Sequence, residues 1–369
     1  MKIEVNTKEL KTALSLMSMV ASDKYSMAIL KHIKFTVKGL RVKIEATNID
    51  TTIVDYIDSI NSDSDGSFLC EGKTLTKLID KINTDNVVIS FIDNSVEVST
   101  KKTKVTIGTD AVENYPAIQT IENSDDIVLQ KDLFCDTIKK ASAFIGNTDF
   151  RPILSQIYCE LKGNTINVYA TDTHCLFFKK YDIQDTADMS FFIAPSALNL
   201  LQKIASIDTQ DSISIFVSEK TILYQFKNIK LYTSVLGGKY PQADKVVSQS
   251  FTLPHKFSVN KKDMEEALLR LSLCTDQTNF AKFEIGENNV MLAKSEDLMW
   301  QKKNIEEIEV TADASIIFGM NIESFKRIFG AVDEDNINIY FRDAAFQFAY
   351  INEDKSNVVM AMPMQIKEV

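Results

Sequence analysis

Between residues 191 and 217 the chain reads FFIAPSALNLLQKIASIDTQDSISIFV, and its hydrophobic pattern changes period twice. Residues 191–194 are a short apolar run, as in a buried strand. Pro195 and Ser196 suit a first helical turn, because proline lacks the N–H that would be unpaired there and serine can accept from an orphan amide. Leu198, Leu201, Ile204 and Ala205 then recur at helical spacing and leave one face apolar. After the polar turn at 208–211, Ile213, Ile215 and Val217 alternate as in a half-buried strand. The same strand–helix–acidic turn–strand pattern occurs at 67–92 and at 315–341; anchored on Phe68, Phe191 and Ile317, the copies lie 123 and 126 residues apart.

A second pattern repeats with the first. Residues 3–20, 127–144 and 257–273 each carry a strand, then Asn or Gln, then an amphipathic helix. A third landmark closes two of the copies, Glu113-Asn114-Tyr115-Pro116 and Gly238-Lys239-Tyr240-Pro241, 125 residues apart. Three landmarks with one period imply a tandem triplication. Domains are therefore expected at 1–122, 123–248 and 249–369, each long enough to bury its own core. Six helices are predicted, at 7–21, 73–83, 131–144, 195–207, 261–273 and 321–331. Strands are predicted at 2–6, 29–37, 40–47 and 49–58, with a loop tip at 61–66. Residues 96–107 read as a hairpin whose second strand, with Val105 and Ile107, is a candidate exposed edge. Residues 170–176 read as a turn between strands. The Met-rich end, Met360-Ala361-Met362-Pro363-Met364-Gln365-Ile366, is too apolar for a solvated tail and is expected to pack or to bind.

A chain of 369 residues with 45% hydrophobic and 25% charged residues is ordinary for a soluble globular protein. No apolar run approaches a membrane span, and the start Met-Lys-Ile-Glu is no signal peptide. Five cysteines without CxxC spacing argue against a zinc site or a disulfide framework and fit a reducing cytoplasm. The net charge of −10 argues against nucleic acid until its distribution is considered. In the six predicted helices Lys and Arg outnumber Asp and Glu by 14 to 8, which leaves −16 on the remainder. Lys73, Lys77 and Lys81 form a basic stripe on one helix face, opposite Leu75, Leu78, Ile79 and Ile82. A positive helical surface on an acidic protein suits phosphates, and a solvated helix face reads the same way. Asp172, His174 and Cys175 are the one cluster resembling catalytic chemistry. Neighbours on a strand point to opposite faces, so a His174–Cys175 dyad is geometrically poor. No Walker loop, dinucleotide fingerprint, G-x-S-x-G or HExxH occurs. No enzyme, cofactor or metal is expected.

Taken together, Arg151-Pro152-Ile153-Leu154, ATDTHCLFF at 170–178, GKYPQADKVV at 238–247, MPMQI at 362–366, ENYPAI at 113–118 and ILKHIKF at 29–35 resemble the bacterial DNA polymerase III beta subunit, the β sliding clamp family, over the whole chain. The resemblance implies an α+β fold: a clamp domain of antiparallel sheets outside and two helices inside, present three times, paired head-to-tail into a two-chain ring around duplex DNA. Its DNA contacts would be independent of sequence. The family's DNA-contacting positions map onto Lys24 and Arg151; charge and helix placement add Lys73, Lys77, Lys139 and Lys203. The family's partner pocket maps onto Leu154, Thr171, His174, Leu176, Pro241, Val246, Met362, Pro363 and Met364. It would take short linear peptides of the DNA polymerase III alpha subunit, the clamp loader delta subunit and other proteins with clamp-binding motifs. The protomer interface would join Val105 and Ile107 to the region of Leu273. No membrane partner is implied, and the expected place of action is the cytoplasm.

The chain departs from the family pattern at the pocket rim. Thr173 stands where the family usually has glycine, Cys175 and Gln365 where it usually has arginine, and Lys245 replaces another arginine. The rim is therefore less charged, and an altered peptide preference is expected. Two competing readings stay open on the sequence: a monomeric peptide-binding scaffold that has lost the ring, and a hydrolase using Asp172, His174 and Cys175.

Overall fold

A computed structural model describes the chain except for residues 23–26, 119–120, 122–123, 148–150, 184–187, 236 and 367–369. Among the described residues there are seven α-helices: α1 (Thr7–Met17), α2 (Gly72–Asp80), α3 (Lys131–Ala141), α4 (Pro195–Ile207), α5 (Ala243–Ser250), α6 (Lys261–Leu271) and α7 (Ile322–Gly330). Six of these are the predicted ones. The expectations of 131–144 and 261–273 overran because each helix ends in a single 3₁₀ turn, Ser142–Phe144 and Ser272–Cys274. The sequence pattern missed α5. Only Ala243, Val247 and Ser250 of its eight residues are buried, too few to show a period. The strand expected at 29–37 is a 3₁₀ turn, Ala28–Lys31, followed by the strand His32–Lys38. The strand expected at 49–58 is Thr51–Ser62, which narrows the loop tip to 63–65.

Helix starts follow from single side chains. Asn6 Oδ1 accepts from Lys8 N (3.0 Å) and Glu9 N (3.2 Å), satisfying two orphan amides of α1. Asn260 and Asn321 do the same for α6 and α7 through Asp263 N and Ser324 N, and the Glu71 carboxylate accepts from Thr74 N at α2. One backbone bond occurs in three places: Thr7 N donates to Asp85 O, Lys131 N to Asp211 O and Lys261 N to Asp335 O, each at 2.8 Å. It ties the start of one helix to the acidic turn after the next. Lysine amines close the same corners, Lys11 on Ile82 O (2.8 Å), Lys131 on Asp208 O (2.6 Å) and Lys261 on Val332 O (2.5 Å).

The described chain divides into two compact units. The first comprises 1–135 and 194–235, the second 136–193 and 236–369. Each contains one antiparallel 12-stranded sheet. In the first unit the path runs from the end strand Lys104–Gly108 through Ser95–Ser99, Asn86–Ile92 and Lys2–Asn6 to the long strand Thr51–Ser62. It continues through Ile229–Ser234, Thr221–Gln225 and Ser212–Val217 to Asp125–Gln130. Thr51–Ser62 holds the unit together by pairing with Arg41–Thr47, Lys2–Asn6 and Ile229–Ser234. The ladder Lys230↔Val54 thus crosses the boundary expected near residue 122. In the second unit Cys175–Asp182 pairs with Asn357–Ala361 in the register Leu176↔Met360 and Phe177↔Val359. That ladder crosses the boundary expected near 248. Apolar burial supplies the core of each unit, including the stack Phe35–Phe68 at 4.8 Å in the first and Phe318–Phe348 at 4.3 Å in the second.

One buried group opposes this stability. Asp55, in the strand Thr51–Ser62, is 6% exposed, and burial pushes its carboxyl up to about 6 against the bond from Tyr56 N and the nearby Arg41 charge. A folded-state value above the unfolded one means the native state holds the proton more tightly. Stability from this group is therefore full below about pH 4 and falls as the pH rises to about 6. Asp55→Asn is expected to gain about 3 kcal/mol at pH 7.5 and almost nothing at pH 4. Urea unfolding at the two pH values checks this; an equal gain at both would refute it.

Candidate functional site

In the second unit the chain brings together three segments distant in sequence. Leu154 lies in the 3₁₀ turn Pro152–Ser155, Leu176 is the second residue of the strand Cys175–Asp182, and Tyr240, Ala243 and Val247 belong to the turn into α5 and to α5 itself. They share one apolar cluster with Met360, against which Val246 and Met362 pack half-buried. Four of the nine expected pocket residues, Leu154, Leu176, Val246 and Met362, therefore meet in one place. The segments 151–154 and 238–241 touch closely: a Cβ on Gly238 would sit 2.8 Å from Ile153 Cδ1.

The turn 171–175 is built from side-chain bonds. Asp172 Oδ1 accepts from His174 N (2.9 Å) and Cys175 N (2.7 Å), while the Thr171 hydroxyl accepts from Thr173 N (3.1 Å) and donates to Cys175 O (2.6 Å). Thr173 takes φ of 81°, where a β-branched residue costs on the order of 1–2 kcal/mol. The turn holds because the other carboxylate oxygen of Asp172 accepts from Arg327 Nη1 on α7. Met362 N in turn donates to His174 O (2.8 Å), and Met364 forms a bridge with Gly319. The Met-rich end is thus docked on the turn, with Met362, Pro363 and Met364 all half-buried.

Thr171 is buried and His174 exposed, so the two face differently from adjacent places on the same turn. Pro241 is exposed at the mouth of an open cleft of about 380 Å³, walled by Tyr158, Tyr169, Phe192 and Tyr240. Tyr158 stacks on Tyr240 with ring centres 4.9 Å apart. Sequence reasoning missed this aromatic shelf. Tyr240 stands in the motif GKYPQADKVV, and Tyr158, Tyr169 and Phe192 sit on strands where aromatic residues read as core. It also missed Arg327, whose helix position carries no signal without the Asp172 partner.

Hydrolytic chemistry at the turn is unsupported. His174 is exposed and Cys175 buried, and burial pushes the Cys175 thiol up to about 11, so it stays protonated near neutrality. Among the described residues no group of three or more His, Cys, Asp or Glu could hold a metal, and no helix is long and apolar enough to cross a membrane.

The expected DNA-contacting residues fall as follows. Lys24 lies outside the described residues. Lys73 and Lys77 are exposed on α2 and Lys203 on α4, and α1 packs against both helices in the first unit. In the second unit Lys139 is exposed on α3 and Arg151 precedes the 152–155 turn, also exposed. Lys139 lines a second cleft, of about 340 Å³, with Lys140 and Arg327. Lys140 there is held by Asp136 (2.9 Å) and Asp333 (2.5 Å). Of the expected interface residues, Val105 is half-buried on the end strand Lys104–Gly108 and Leu273 is 71% exposed. Ile107 is 9% exposed and faces the core, so that strand offers its backbone edge rather than this side chain.

Two family models match the chain: the DNA polymerase III beta subunit N-terminal domain at residues 1–119 and its central domain at 128–242, together more than half of the chain. The chain belongs to the DNA polymerase III beta subunit family. Among curated relatives of this family, the beta sliding clamp of Streptococcus pneumoniae is 26% identical over 368 residues, covering 95% of each chain. That of Staphylococcus aureus is 22% identical over 331 residues, 87% of each. Among solved structures, the DNA polymerase III beta subunit of Thermotoga maritima superposes with a TM-score of 0.91 at 20% identity, over 99% of this chain and 100% of that one. The Bacillus subtilis sliding clamp gives 0.90 at 19%, over 100% of both. The fold is the sliding-clamp fold, α+β with antiparallel sheets.

Proposed function

We propose that this chain is a sliding clamp: two copies close head-to-tail into a ring around duplex DNA and tether a replicative polymerase. The observation that carries this reading is the match to beta sliding clamps along 95% of both chains. Three tandem clamp domains, 1–122, 123–248 and 249–369, give the ring six. The bond made by Thr7, Lys131 and Lys261 to a following acidic turn supports that division, since one corner recurs with the sequence period.

Function follows from topology. Lysines on the helices, Lys73, Lys77, Lys139 and Lys203, with Lys24 and Arg151, attract phosphates without reading bases, so contacts are plural, weak and salt-sensitive. Such contacts let the ring slide, and closure keeps it on the duplex. The cluster of Leu154, Leu176, Val246 and Met362, with Thr171, His174, Pro241, Pro363 and Met364 around it, takes a short apolar peptide. The alpha subunit, the clamp loader delta subunit and other motif-bearing partners compete for it. A bound polymerase then stays at high effective concentration near the primer end. The ring works in the cytoplasm, with no cofactor, metal or catalytic step of its own.

Light scattering across a range of concentrations tests the ring. A mass of about twice the 41.6 kDa chain is expected, together with retention on nicked circular duplex and loss when that circle is cut. A single-chain mass throughout, or equal retention on circle and cut duplex, would overturn the reading.

A further inference from the structure

The turn between the strands Val290–Asp297 and Lys302–Ala312 exposes three large apolar side chains in a row: Leu298 by 75%, Met299 by 84% and Trp300 by 70%. A patch of this kind on a soluble surface marks a contact. The turn is built to present them. Asp297 Oδ1 accepts from Met299 N (3.0 Å) and Trp300 N (3.2 Å), and Gln301 takes φ of 52° to start the next strand.

That strand is half-open. Residues 302–309 pair with 290–297 on one side, and on the other only 310–312 are paired, with 257–259, among the described residues. Ile305 is 51% exposed on the open stretch. Helix α6 and the turn Ser272–Cys274 pack on the same strand, adding Leu269 and Leu273, 59% and 71% exposed. An open edge beside exposed apolar side chains is a site for strand addition.

The chain itself supplies a matching edge. Lys104–Gly108 ends its sheet, with Lys101 and Lys102 exposed in the turn before it and Lys104 exposed but paired with Glu97 at 2.7 Å. The 302–309 edge carries exposed Lys302 and Lys303 at its turn end and exposed Glu307 and Glu309 at its far end, whereas Glu306 is held by Arg270 at 2.9–3.1 Å. Opposite charge on two unpaired edges selects a second copy of the chain as the occupant. Antiparallel addition sets the lysines beside Glu307 and Glu309 and carries the turn beyond Gly108 of the other copy. We propose that Leu298, Met299 and Trp300 form an anchor that seats on the second protomer, extending the interface past its strand-to-strand contact. This rests on the ring reading above and adds a component that Val105, Ile107 and Leu273 do not supply.

The sequence contains one tryptophan, so its emission reports the anchor alone. In the dimer the emission is expected to be blue-shifted from that of a fully solvated tryptophan and to move red as single-molecule mass measurements show dissociation on dilution. Trp300→Gln is expected to raise the dimer dissociation constant at least tenfold with an unchanged circular dichroism spectrum, since the side chain is exposed in the single chain. A dimer with solvated emission, and an unaltered constant for Trp300→Gln, would overturn the anchor and leave the ring standing. A single-chain mass at every concentration would overturn both. A blue shift seen only with anionic phospholipid vesicles, and none on dimerisation, would overturn the anchor in favour of a lipid contact.

Discussion

Arg327→Met is expected to weaken binding of a clamp-binding peptide at least tenfold, about 1.4 kcal/mol or more, with a stability loss of about 1–3 kcal/mol. The reason lies one step from the proposed pocket. Arg327 is not one of its nine residues, yet it holds the Asp172 carboxylate that organises the turn carrying Thr171 and His174 into the strand of Leu176. The side chains of Arg327 and Asp172 are 32% and 18% exposed, so solvent screens part of the attraction and the full cost of breaking a buried pair is not reached. What remains is a half-buried carboxylate without its cation, beside a threonine already at φ of 81°. Fluorescence anisotropy with a labelled peptide measures the affinity, and Arg327→Lys separates roles. Partial rescue by lysine is expected if charge at Asp172 matters. Unchanged affinity in Arg327→Met would remove Arg327 from the site.

The second large effect is expected from a single methyl group. In Gly319→Ala the new Cβ would lie 2.6 Å from Met364 O and 2.5 Å from the Phe280 ring, distances that force one of them to move. The Phe280 ring is half-buried and can swing aside, but Met364 O belongs to the backbone and cannot rotate away. The C-terminal segment must therefore give way, breaking the bond from Met364 N to Gly319 O, now 2.8 Å. Crowding of this kind costs about 1–3 kcal/mol. With Met362 and Met364 displaced from the turn at His174, peptide affinity is expected to fall more than tenfold. Hydrogen exchange of the 360–364 amides alongside the peptide titration would check the route. Loss of binding with full protection of those amides would point to another cause.

Much of this architecture was legible because it repeats. The strand–Asn–helix pattern at Asn6 and Asn260 was visible since an amide side chain at a helix start does one physical task, and the structure shows it accepting from the first-turn amides. The 3.6-residue spacing of Leu198, Leu201 and Ile204 likewise predicted α4 with its observed bounds. Helix α5 was illegible because eight residues with three buried positions carry no period. The pocket was readable only in part and through family likeness: Leu154, Leu176, Val246 and Met362 meet through tertiary ladders such as Leu176↔Met360 that no local pattern encodes. Arg327 and the aromatic shelf around Tyr158 were invisible for the same reason. Their roles arise from tertiary partners, Asp172 for Arg327 and Tyr240 for Tyr158, that no local pattern links to them. The inward turn of Ile107 shows the converse limit, since alternation gives two faces without saying which is covered.

The two long sheets also set a timetable for synthesis. Thr51–Ser62 leaves the ribosome early, but its neighbour Ile229–Ser234 is made about 170 residues later. At roughly 5–20 residues per second the nascent chain carries an incomplete ladder for something like ten to thirty seconds. Cys175–Asp182 waits equally long for Asn357–Ala361. Through that interval each growing chain offers an unfilled hydrogen-bonding rim to its neighbours on the same messenger. Translation speed and chaperone cover should therefore govern the yield of this protein more than its final stability does.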